Sequence, residues 1–479
     1  MVTKDILDTY DITIGIECHV QLATATKLFS SADNDARDRE PNSVVSPIDY
    51  GLPGMLPVLN REAVTLAIKA GKALNAEIAR VSRFDRKHYF YPDLPKGYQT
   101  TQMYNPIILA GYVDAPLEDG STVRVRIHHA HMEEDAGKLT HYADYSLVDL
   151  NRAGTPLIEI VSEPDIHSPA EAKAYATELY RLMTYAGVTH GDLYHGNMRF
   201  DVNVSVAPKG ATELGIRAEV KNLNSFRSVE KAAEYEFQRQ VERLEKGERV
   251  VQETRGWDEA KQRTTSQRSK EDAQDYRYMP DADIPPIVLS EEEITEIQAG
   301  VSKLPPEYRE EFAALGVDKS VVNTVLAKQL LAEMVSQVLA RDQKAARRVA
   351  NWVASNLNID EEAQLDSIAR IDDLLELATM TEANEISSNA ASELFNDLMS
   401  GATDPRSIAE EKNLLQVSDE GEIAQIVDEV LADPASQKAV EDIKAGNDKA
   451  IGYLVGQIMK KSAGKANPAL AQKLIRERL

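Results

Sequence analysis

The residue types change sharply near residue 300, and this change limits the folds open to the chain. All nine histidines lie before residue 196, while 16 of 18 tyrosines and 15 of 20 prolines lie before residue 301. After that point Ala, Leu, Glu and Lys recur at helical spacing. The pattern predicts an α+β chain with a mixed α/β part followed by a helical part.

The clearest strand signal lies close to the N-terminus. Polar residues there alternate with a series of apolar ones, which are Ile12, Ile14, Ile16, Cys18, Val20 and Leu22. Because side chains in a strand point alternately to opposite faces, one face is apolar and the other polar. Cys18 therefore faces the core, where a thiol behaves as a small apolar group. Glu17 and His19 share the polar face, as a functional pair or as an ordinary surface pair.

Two helices have readable ends in the first part. Ser168 is a candidate N-cap, Pro169 takes the first helical position, and Glu171 completes a capping box. Gly187 ends this helix. A second helix is predicted from about residue 226 to 246, and Gly247 ends it.

Further acidic residues interrupt apolar segments. Glu159 stands within Leu-Ile-Glu-Ile-Val, Glu133 and Glu134 are adjacent, and Asp201 begins an alternating strand pattern. A buried carboxylate must be paired, hydrogen-bonded or bound to a cation. Carboxylates clustered with one or two histidines suit Mg2+ or Mn2+. The sequence alone does not establish that these segments meet, so a shared cation site is one hypothesis and separate surface acids are the other.

Aromatic and basic residues crowd the segment 84–93, which reads FDRKHYFYPD. Such density beside Pro95 and Gly97 is typical of a functional loop. An ordinary packed loop with half-buried Lys and Arg stems gives the same pattern. Both interpretations remain open from the residues alone.

Charge is unevenly distributed along the acidic chain. The formal net charge is −24, which argues against nonspecific nucleic-acid binding. Residues 360–445 contain 22 acidic and 5 basic residues. Residues 460–479 reverse this balance, with a single acidic residue, Glu477, among six basic ones: Lys460, Lys461, Lys465, Lys473, Arg476 and Arg478. This basic end could contact phosphate, or it could be a solvated helix end.

Several functional classes lack their motifs. Gly137-Lys138 resembles the end of a phosphate-binding P-loop, but Met132 stands where that motif requires glycine. There is no GxSxG elbow, and the one cysteine excludes a disulfide framework and argues against a cysteine-based glutaminase. No apolar run spans a membrane, and the first ten residues do not form a signal peptide. A cytoplasmic protein is therefore expected.

One long stretch, SLVDLNRAGTPLIEIVSEPD at 146–165, stands out as a family motif. Further motifs lie at 14–22, 51–57, 84–93, 131–138, 219–226, 252–255, 275–280, 452–457 and 463–468. Together these segments resemble the B subunits of tRNA-dependent amidotransferases, and the resemblance covers nearly the whole chain.

The resemblance implies a function and an architecture. Members of this family act with an amidase-like A subunit, which releases ammonia from glutamine, and a small C subunit. The B subunit binds the misacylated tRNA(Gln) or tRNA(Asn) and phosphorylates the side-chain carboxylate of the attached Glu or Asp with ATP and Mg2+. Ammonia then displaces phosphate. The implied domains are a cradle-like catalytic domain at 1–295, a helical domain at 296–405, and a tRNA-binding helical tail at 406–479.

The resemblance also implies roles for individual residues. His19, Glu134 and Glu159 correspond to ligands of one cation, with Glu134 and Glu159 also counted as catalytic. Lys87 is a candidate for orienting ammonia or neutralising the acyl phosphate. A second cation is assigned to Glu17, Asp201 and Glu219. Contact with tRNA phosphate is assigned to Lys460, Lys461, Lys465 and Lys473.

One departure from the family pattern stands out. Many members carry two acidic residues where this chain has Tyr194 and His195, so no ligand is expected there. A non-catalytic scaffold that positions tRNA is the alternative function, and a stand-alone metal-dependent hydrolase fits the acids but not the helical tail.

Overall fold

The computed structural model describes residues 3–269, 275–357, 368–416, 420–444, 447–462 and 466–479. The chain forms two compact units, residues 1–305 and 306–479. The first is α/β and the second helical, which confirms the α+β fold class. The finer boundaries at residues 295 and 405 stay predictions.

The first unit contains five of the α-helices and all the strands that the structure describes. In chain order these elements are α1 (Lys4–Leu7), β1 (Tyr10–Gln21), α2 (Arg61–Ala73), β2 (Val81–Ser82), β3 (Asp85–His88), β4 (Tyr98–Thr101), β5 (Gly111–Pro116), β6 (Thr122–Glu134), β7 (Lys138–His141), β8 (Ser146–Asp149), β9 (Pro156–Ser162), α3 (Pro169–Tyr185), β10 (Met198–Pro208), β11 (Ala218–Leu223), α4 (Phe226–Glu245), β12 (Glu253–Asp258), β13 (Arg263–Ser269), β14 (Met279–Pro280), β15 (Ile287–Val288) and α5 (Glu291–Ala299).

An eight-stranded sheet is the frame of this unit, with the strand order β13-β12-β11-β10-β1-β9-β6-β5. Strands β11 and β12 run parallel, and the other neighbours are antiparallel. Helices α3 and α4 pack against each other and against one face of this sheet. The opposite face is therefore open for polar side chains.

The predicted alternation in β1 is confirmed. Ile14, Ile16, Cys18 and Val20 are all buried, whereas the residues between them are partly exposed. Burying this apolar face provides the main driving force for placing β1 in the centre of the sheet. Cys18 lies in the core as predicted.

Both predicted helix starts and ends in this unit are confirmed. The Ser168 hydroxyl accepts a hydrogen bond from the Glu171 backbone N–H at 3.1 Å. Glu171 accepts from the His167 N–H at 2.6 Å, so its carboxylate reaches one residue beyond the N-cap. Helix α4 begins after the N-cap Ser225 and has Lys246 as its C-cap.

Smaller sheets lie beside the main one. A three-stranded sheet, in the order β14-β3-β4, carries Lys87 on its central strand. The remaining strands form two pairs, β15 with β2 and β7 with β8.

The second unit is helical throughout its described residues. Its α-helices are α6 (Pro305–Phe312), α7 (Lys319–Val325), α8 (Gln329–Leu339), α9 (Gln343–Asn356), α10 (Ile371–Glu382), α11 (Ser388–Met399), α12 (Pro405–Glu411), α13 (Glu420–Ala432), α14 (Gln437–Lys444), α15 (Ile451–Lys461) and α16 (Pro468–Arg478).

Helices of the second unit fall into two packing groups. Helix α12 packs against α10 and α11. The last four helices share a separate apolar cluster, with Ile423, Leu454, Ile458 and Ile475 among its buried members. None of the helices described in the chain is long and apolar enough to cross a membrane.

Replacing Ser168 with alanine should lower the free energy of unfolding by about 1 kcal/mol, because the α3 backbone loses its cap acceptor. Chemical denaturation of the purified chain measures this change. Ser168→Asp is the matched control, since aspartate is an equally good N-cap. Equal stability of Ser168→Ala and the unsubstituted chain would contradict a stabilising cap.

Candidate functional site

The strand register brings distant polar residues together on the open face of the sheet. His19 of β1 lies opposite Glu159 of β9, which in turn lies opposite His131 of β6. On the other side of β1, Glu17 lies opposite Asp201 of β10. Because directly opposed residues of neighbouring antiparallel strands project from the same face of the sheet, all these side chains share one face.

The first cluster consists of His19, Glu133 and Glu159, joined by His131. Ligand atoms of the first three all lie within 4.8 Å of one another. The His19 Nε2 atom is 3.6 Å from Glu133 Oε1 and 3.5 Å from Glu159 Oε2. The His131 Nε2 atom makes the same two approaches, at 3.6 and 3.5 Å. Two imidazoles and two carboxylates thus alternate around a small ring.

The structure does not bring together the three residues predicted as ligands of the first cation: Glu133, not Glu134, lies beside His19 and Glu159. The ligand role of Glu134 stays a prediction. Adjacent residues in a strand point to opposite faces, so only one of this pair can share the face of His131. The Glu134 carboxylate points away from the cluster. It contacts the Lys96 ammonium and accepts the Thr100 backbone N–H at 2.9 Å.

Mutual charge compensation shifts the ionisation of the first cluster. Burial lowers the pKa of His19, but a hydrogen bond to Glu159 and the charges of Glu133 and Glu159 raise it to about 9. Burial raises the pKa of Glu159, but that hydrogen bond and the charges of His131, His19 and Lys87 hold it well below its usual range. Burial lowers the pKa of His131, but the hydrogen bond to Glu133 and the charges of Glu159 and Glu133 raise it above its normal value. Both carboxylates therefore have positive partners.

The second cluster is Glu17, Asp201 and Glu219, as predicted from the resemblance. Their ligand atoms also lie within 4.8 Å of one another. The Asn203 amide donates to Glu17 at 3.1 Å, and the Thr254 hydroxyl donates to Glu219 at 2.9 Å. Three carboxylates thus converge on one point of the sheet.

A lysine lies inside this second cluster. The Lys221 Nζ atom is 2.6 Å from Asp201 Oδ2 and 2.9 Å from Glu219 Oε1. Burial lowers the pKa of Lys221, but the charges and hydrogen bonds of these two acids raise it far above normal. Burial and the charges of Glu159 and Glu219 raise the pKa of Glu17, and Lys221 opposes that rise.

Lys87 lies near the first cluster, among aromatic rings. Its ammonium is 4.9 Å from the centroid of the Tyr276 ring, a cation–π arrangement. Its charge contributes to the low pKa of Glu159. The role predicted for Lys87 in handling ammonia or acyl phosphate stays a prediction.

Tyr194 and His195 lie apart from both clusters. The Tyr194 side chain is exposed, and the His195 Nδ1 atom is 2.6 Å from Asp192 Oδ2. Asp192 is itself 3.9 Å from Arg37 Nη1.

The predicted phosphate contacts in the tail are exposed where the structure describes them. Lys460 and Lys461 end α15, and the Lys461 ammonium lies 2.6 Å from Glu429 Oε2. Lys473 on α16 is 3.7 Å from Glu477 Oε1. Lys465 lies outside the described residues.

Sequence reasoning named Glu133 among the acids of a possible cation site but did not assign it to the first cluster, and it did not identify His131 or Lys221. The signal for the first two was present, because His131 and Glu133 have the i, i+2 spacing of residues on one strand face. Glu219 and Lys221 have the same spacing. Local spacing does not determine the register in which β6 pairs with β9 or β11 pairs with β10.

Both clusters have donor atoms suited to a divalent cation. The first offers carboxylate oxygens and imidazole nitrogen, and the second offers three carboxylates. Hard oxygen donors favour Mg2+ or Mn2+, and imidazole in the first favours Mn2+ over Mg2+. The residues present therefore fit the cations implied by the resemblance.

Comparisons with known proteins identify the family of this chain. A family model described as the GatB/GatE catalytic domain matches residues 12–295, and one described as the GatB domain matches residues 329–479. The B subunit of the aspartyl/glutamyl-tRNA(Asn/Gln) amidotransferase of Persephonella marina is 45% identical over 98% of this chain and 99% of its own length. Its counterpart from Alkalilimnicola ehrlichii is 46% identical with the same coverage.

Matches of this length and identity span both structural units. The chain therefore belongs to the family of aspartyl/glutamyl-tRNA(Asn/Gln) amidotransferase B subunits.

Proposed function

We propose that this chain activates the side-chain carboxylate of Glu-tRNA(Gln) or Asp-tRNA(Asn) with ATP, for amidation by ammonia. The observation that carries the proposal is the pair of carboxylate clusters on one face of the sheet, in a chain of this family. The names of its relatives support an amidotransferase reaction on these two tRNAs.

The reaction needs activation because a carboxylate is a poor acyl donor. An oxygen of the Glu or Asp side chain attacks the γ-phosphorus of ATP, and the bond to ADP breaks. Ammonia then attacks the acyl carbon, phosphate leaves with the carbon–oxygen electron pair, and the nitrogen loses a proton. The products are Gln-tRNA(Gln) or Asn-tRNA(Asn), ADP and phosphate.

The chain's own groups would hold the cations that this transfer requires. A divalent cation, when bound, supplies positive charge against the transferring phosphoryl group. His19, Glu133 and Glu159 would hold one cation, and Glu17, Asp201 and Glu219 a second. Lys87 is placed near enough to Glu159 to influence its charge, which suits a role in orienting ammonia or neutralising the acyl phosphate.

Ammonia is proposed to come from an amidase-like A subunit, with a small C subunit completing a heterotrimer. Cys18 is buried in the core of the sheet, where it cannot act as the nucleophile of a glutaminase. Burial also raises the pKa of its thiol far above normal, which keeps it protonated.

The tail is proposed to bind the body of the tRNA. Lys460, Lys461 and Lys473 are exposed on the last two helices, and Lys465 lies between them in the sequence. Because most of the chain is acidic, this basic end is the part suited to phosphate.

A scaffold that only positions tRNA is the second candidate. It would account for the tail but would not require acids and imidazoles converging in two clusters. The first cluster therefore provides the deciding experiment.

In the assembled heterotrimer, Glu133→Gln should lower kcat for ATP-dependent amidation by more than about 100-fold. Even outer contacts of cation ligands are typically worth about 10- to 100-fold, and this change removes a ligand. Formation of Gln-tRNA(Gln) measures amidation, and glutamate release from glutamine should persist.

Glu134→Gln is the matched control, because it alters the adjacent carboxylate without touching the cluster. We expect its amidation rate to exceed that of Glu133→Gln by at least about tenfold. Normal amidation by Glu133→Gln would favour the scaffold, and the reverse ranking would return the ligand role to Glu134.

Removing residues 417–479 should raise KM for charged tRNA while sparing glutamine hydrolysis. This cut keeps α12 with the helices it packs against, so the preceding group stays intact. Binding by the complete complex should weaken as salt rises, because phosphate contacts release counterions.

A charge variant separates the basic residues from the fold of the tail. Lys460→Gln combined with Lys473→Gln should raise KM for tRNA in the same direction and flatten its salt dependence. Lys438→Gln is the comparison, an exposed lysine on α14 outside the basic end.

Unchanged tRNA affinity after the truncation would remove the tail from the binding site.

A further inference from the structure

Lys221 is the feature of the second cluster that the proposed chemistry does not use. It follows Glu219 by two residues on β11, so both side chains project from the same face of the sheet. Its ammonium contacts Asp201 at 2.6 Å and Glu219 at 2.9 Å. The negative charge of Asp201 and Glu219 is therefore already compensated in part by a cation that belongs to the chain.

The first cluster has a different counter-charge. Its carboxylates, Glu133 and Glu159, contact the imidazoles of His19 and His131. Over the residues that the structure describes, neither carboxylate has a lysine or arginine nitrogen within ion-pair distance. The nearest lysine influence is that of Lys87, which acts through its charge and not through contact.

An ammonium and a divalent cation compete for the same oxygens. Lys221 Nζ approaches both Asp201 and Glu219 at hydrogen-bond distance, so a cation bound by both acids must displace it. Charge-assisted hydrogen bonds are about twice as strong as neutral ones, and displacement breaks two of them. The side chain has an exit, because 38% of its surface is exposed to solvent.

Tethering makes this competition independent of the concentration of monovalent ions in solution. A bound monovalent ion from solution would be diluted away, whereas the Lys221 ammonium stays beside Asp201 at a fixed effective concentration. Lys221 therefore lowers the cation affinity of the second cluster.

We propose that Lys221 is an internal counter-ion that competes with the divalent cation at Glu17, Asp201 and Glu219 and so lowers the cation affinity of the second cluster. This inference rests on the cation requirement of the proposed function. It assigns control of that affinity to a named residue. Lys221 is a positioning residue here, since it acts on the cation ligands.

The test is a Mn2+ titration of the assembled heterotrimer, with free Mn2+ followed by electron paramagnetic resonance. The unsubstituted complex should show two specific sites. Lys221→Met should tighten one of them at least about tenfold, because it removes two charge-assisted hydrogen bonds that oppose binding. The other site should change little.

Two further variants assign the effect. Asp201→Asn in the Lys221→Met background should abolish the gained affinity, which locates it at the second cluster. Lys96→Met is the matched control, since its ammonium contacts Glu134 outside both clusters. It should leave both Mn2+ affinities as they are.

Folding is checked separately, because removing Lys221 leaves three acids together. Thermal unfolding without metal should show a lower Tm for Lys221→Met, and saturating Mn2+ should restore it. Lys221→Gln offers a polar replacement if the methionine variant does not assemble, and it should tighten the same Mn2+ site. Failure of both variants to fold even with Mn2+ would overturn the proposal by making Lys221 an obligatory structural ion.

Unchanged or weakened Mn2+ affinity in the folded Lys221 variants overturns this inference alone. Absence of any specific Mn2+ site in the unsubstituted complex overturns the cation requirement itself, and with it the proposed function. The two failures are therefore distinguishable within one titration.

Discussion

The central constraint is the register of β1 between β9 and β10. This strand buries an unbroken apolar series against the side of the sheet covered by α3 and α4. A slip of one residue would turn Ile14, Ile16 and Cys18 to the open face, at a large cost in buried apolar area. The same register fixes His19 opposite Glu159 and Glu17 opposite Asp201. Packing of the apolar face thus positions the side chains of both clusters on the opposite face.

Holding so many acids on one face requires compensation, and the two clusters achieve it differently. Imidazoles alternate with carboxylates in the first, so each buried acid has a partner whose charge depends on its surroundings. The Lys221 ammonium compensates part of the negative charge of the second. Uncompensated carboxylates at this separation would repel one another and shift toward the neutral form. Both arrangements place positively charged or protonatable groups beside the acids that a cation would contact.

Much of this arrangement was predictable, and the failures have a physical cause. Alternation identified β1 and its buried Cys18, and Ser168 with Glu171 identified the start of α3, because these signals are local. Family resemblance grouped Glu17, Asp201 and Glu219. It also selected Glu134, and the structure selects its neighbour Glu133. Which of the two adjacent acids joins the cluster depends on which residues of β6 lie on the open face of the sheet. Local spacing does not specify that face.

The sequence by itself determined the α+β division, the polar and apolar faces of β1, the caps of α3 and the family to which the chain belongs. Those properties follow from side-chain periodicity and from motifs that are contiguous in the chain. Only the tertiary structure decided that His131 and Glu133 complete the first cluster and that Lys221 lies inside the second. These contacts join strands far apart in sequence, so their geometry exists only after the sheet has assembled.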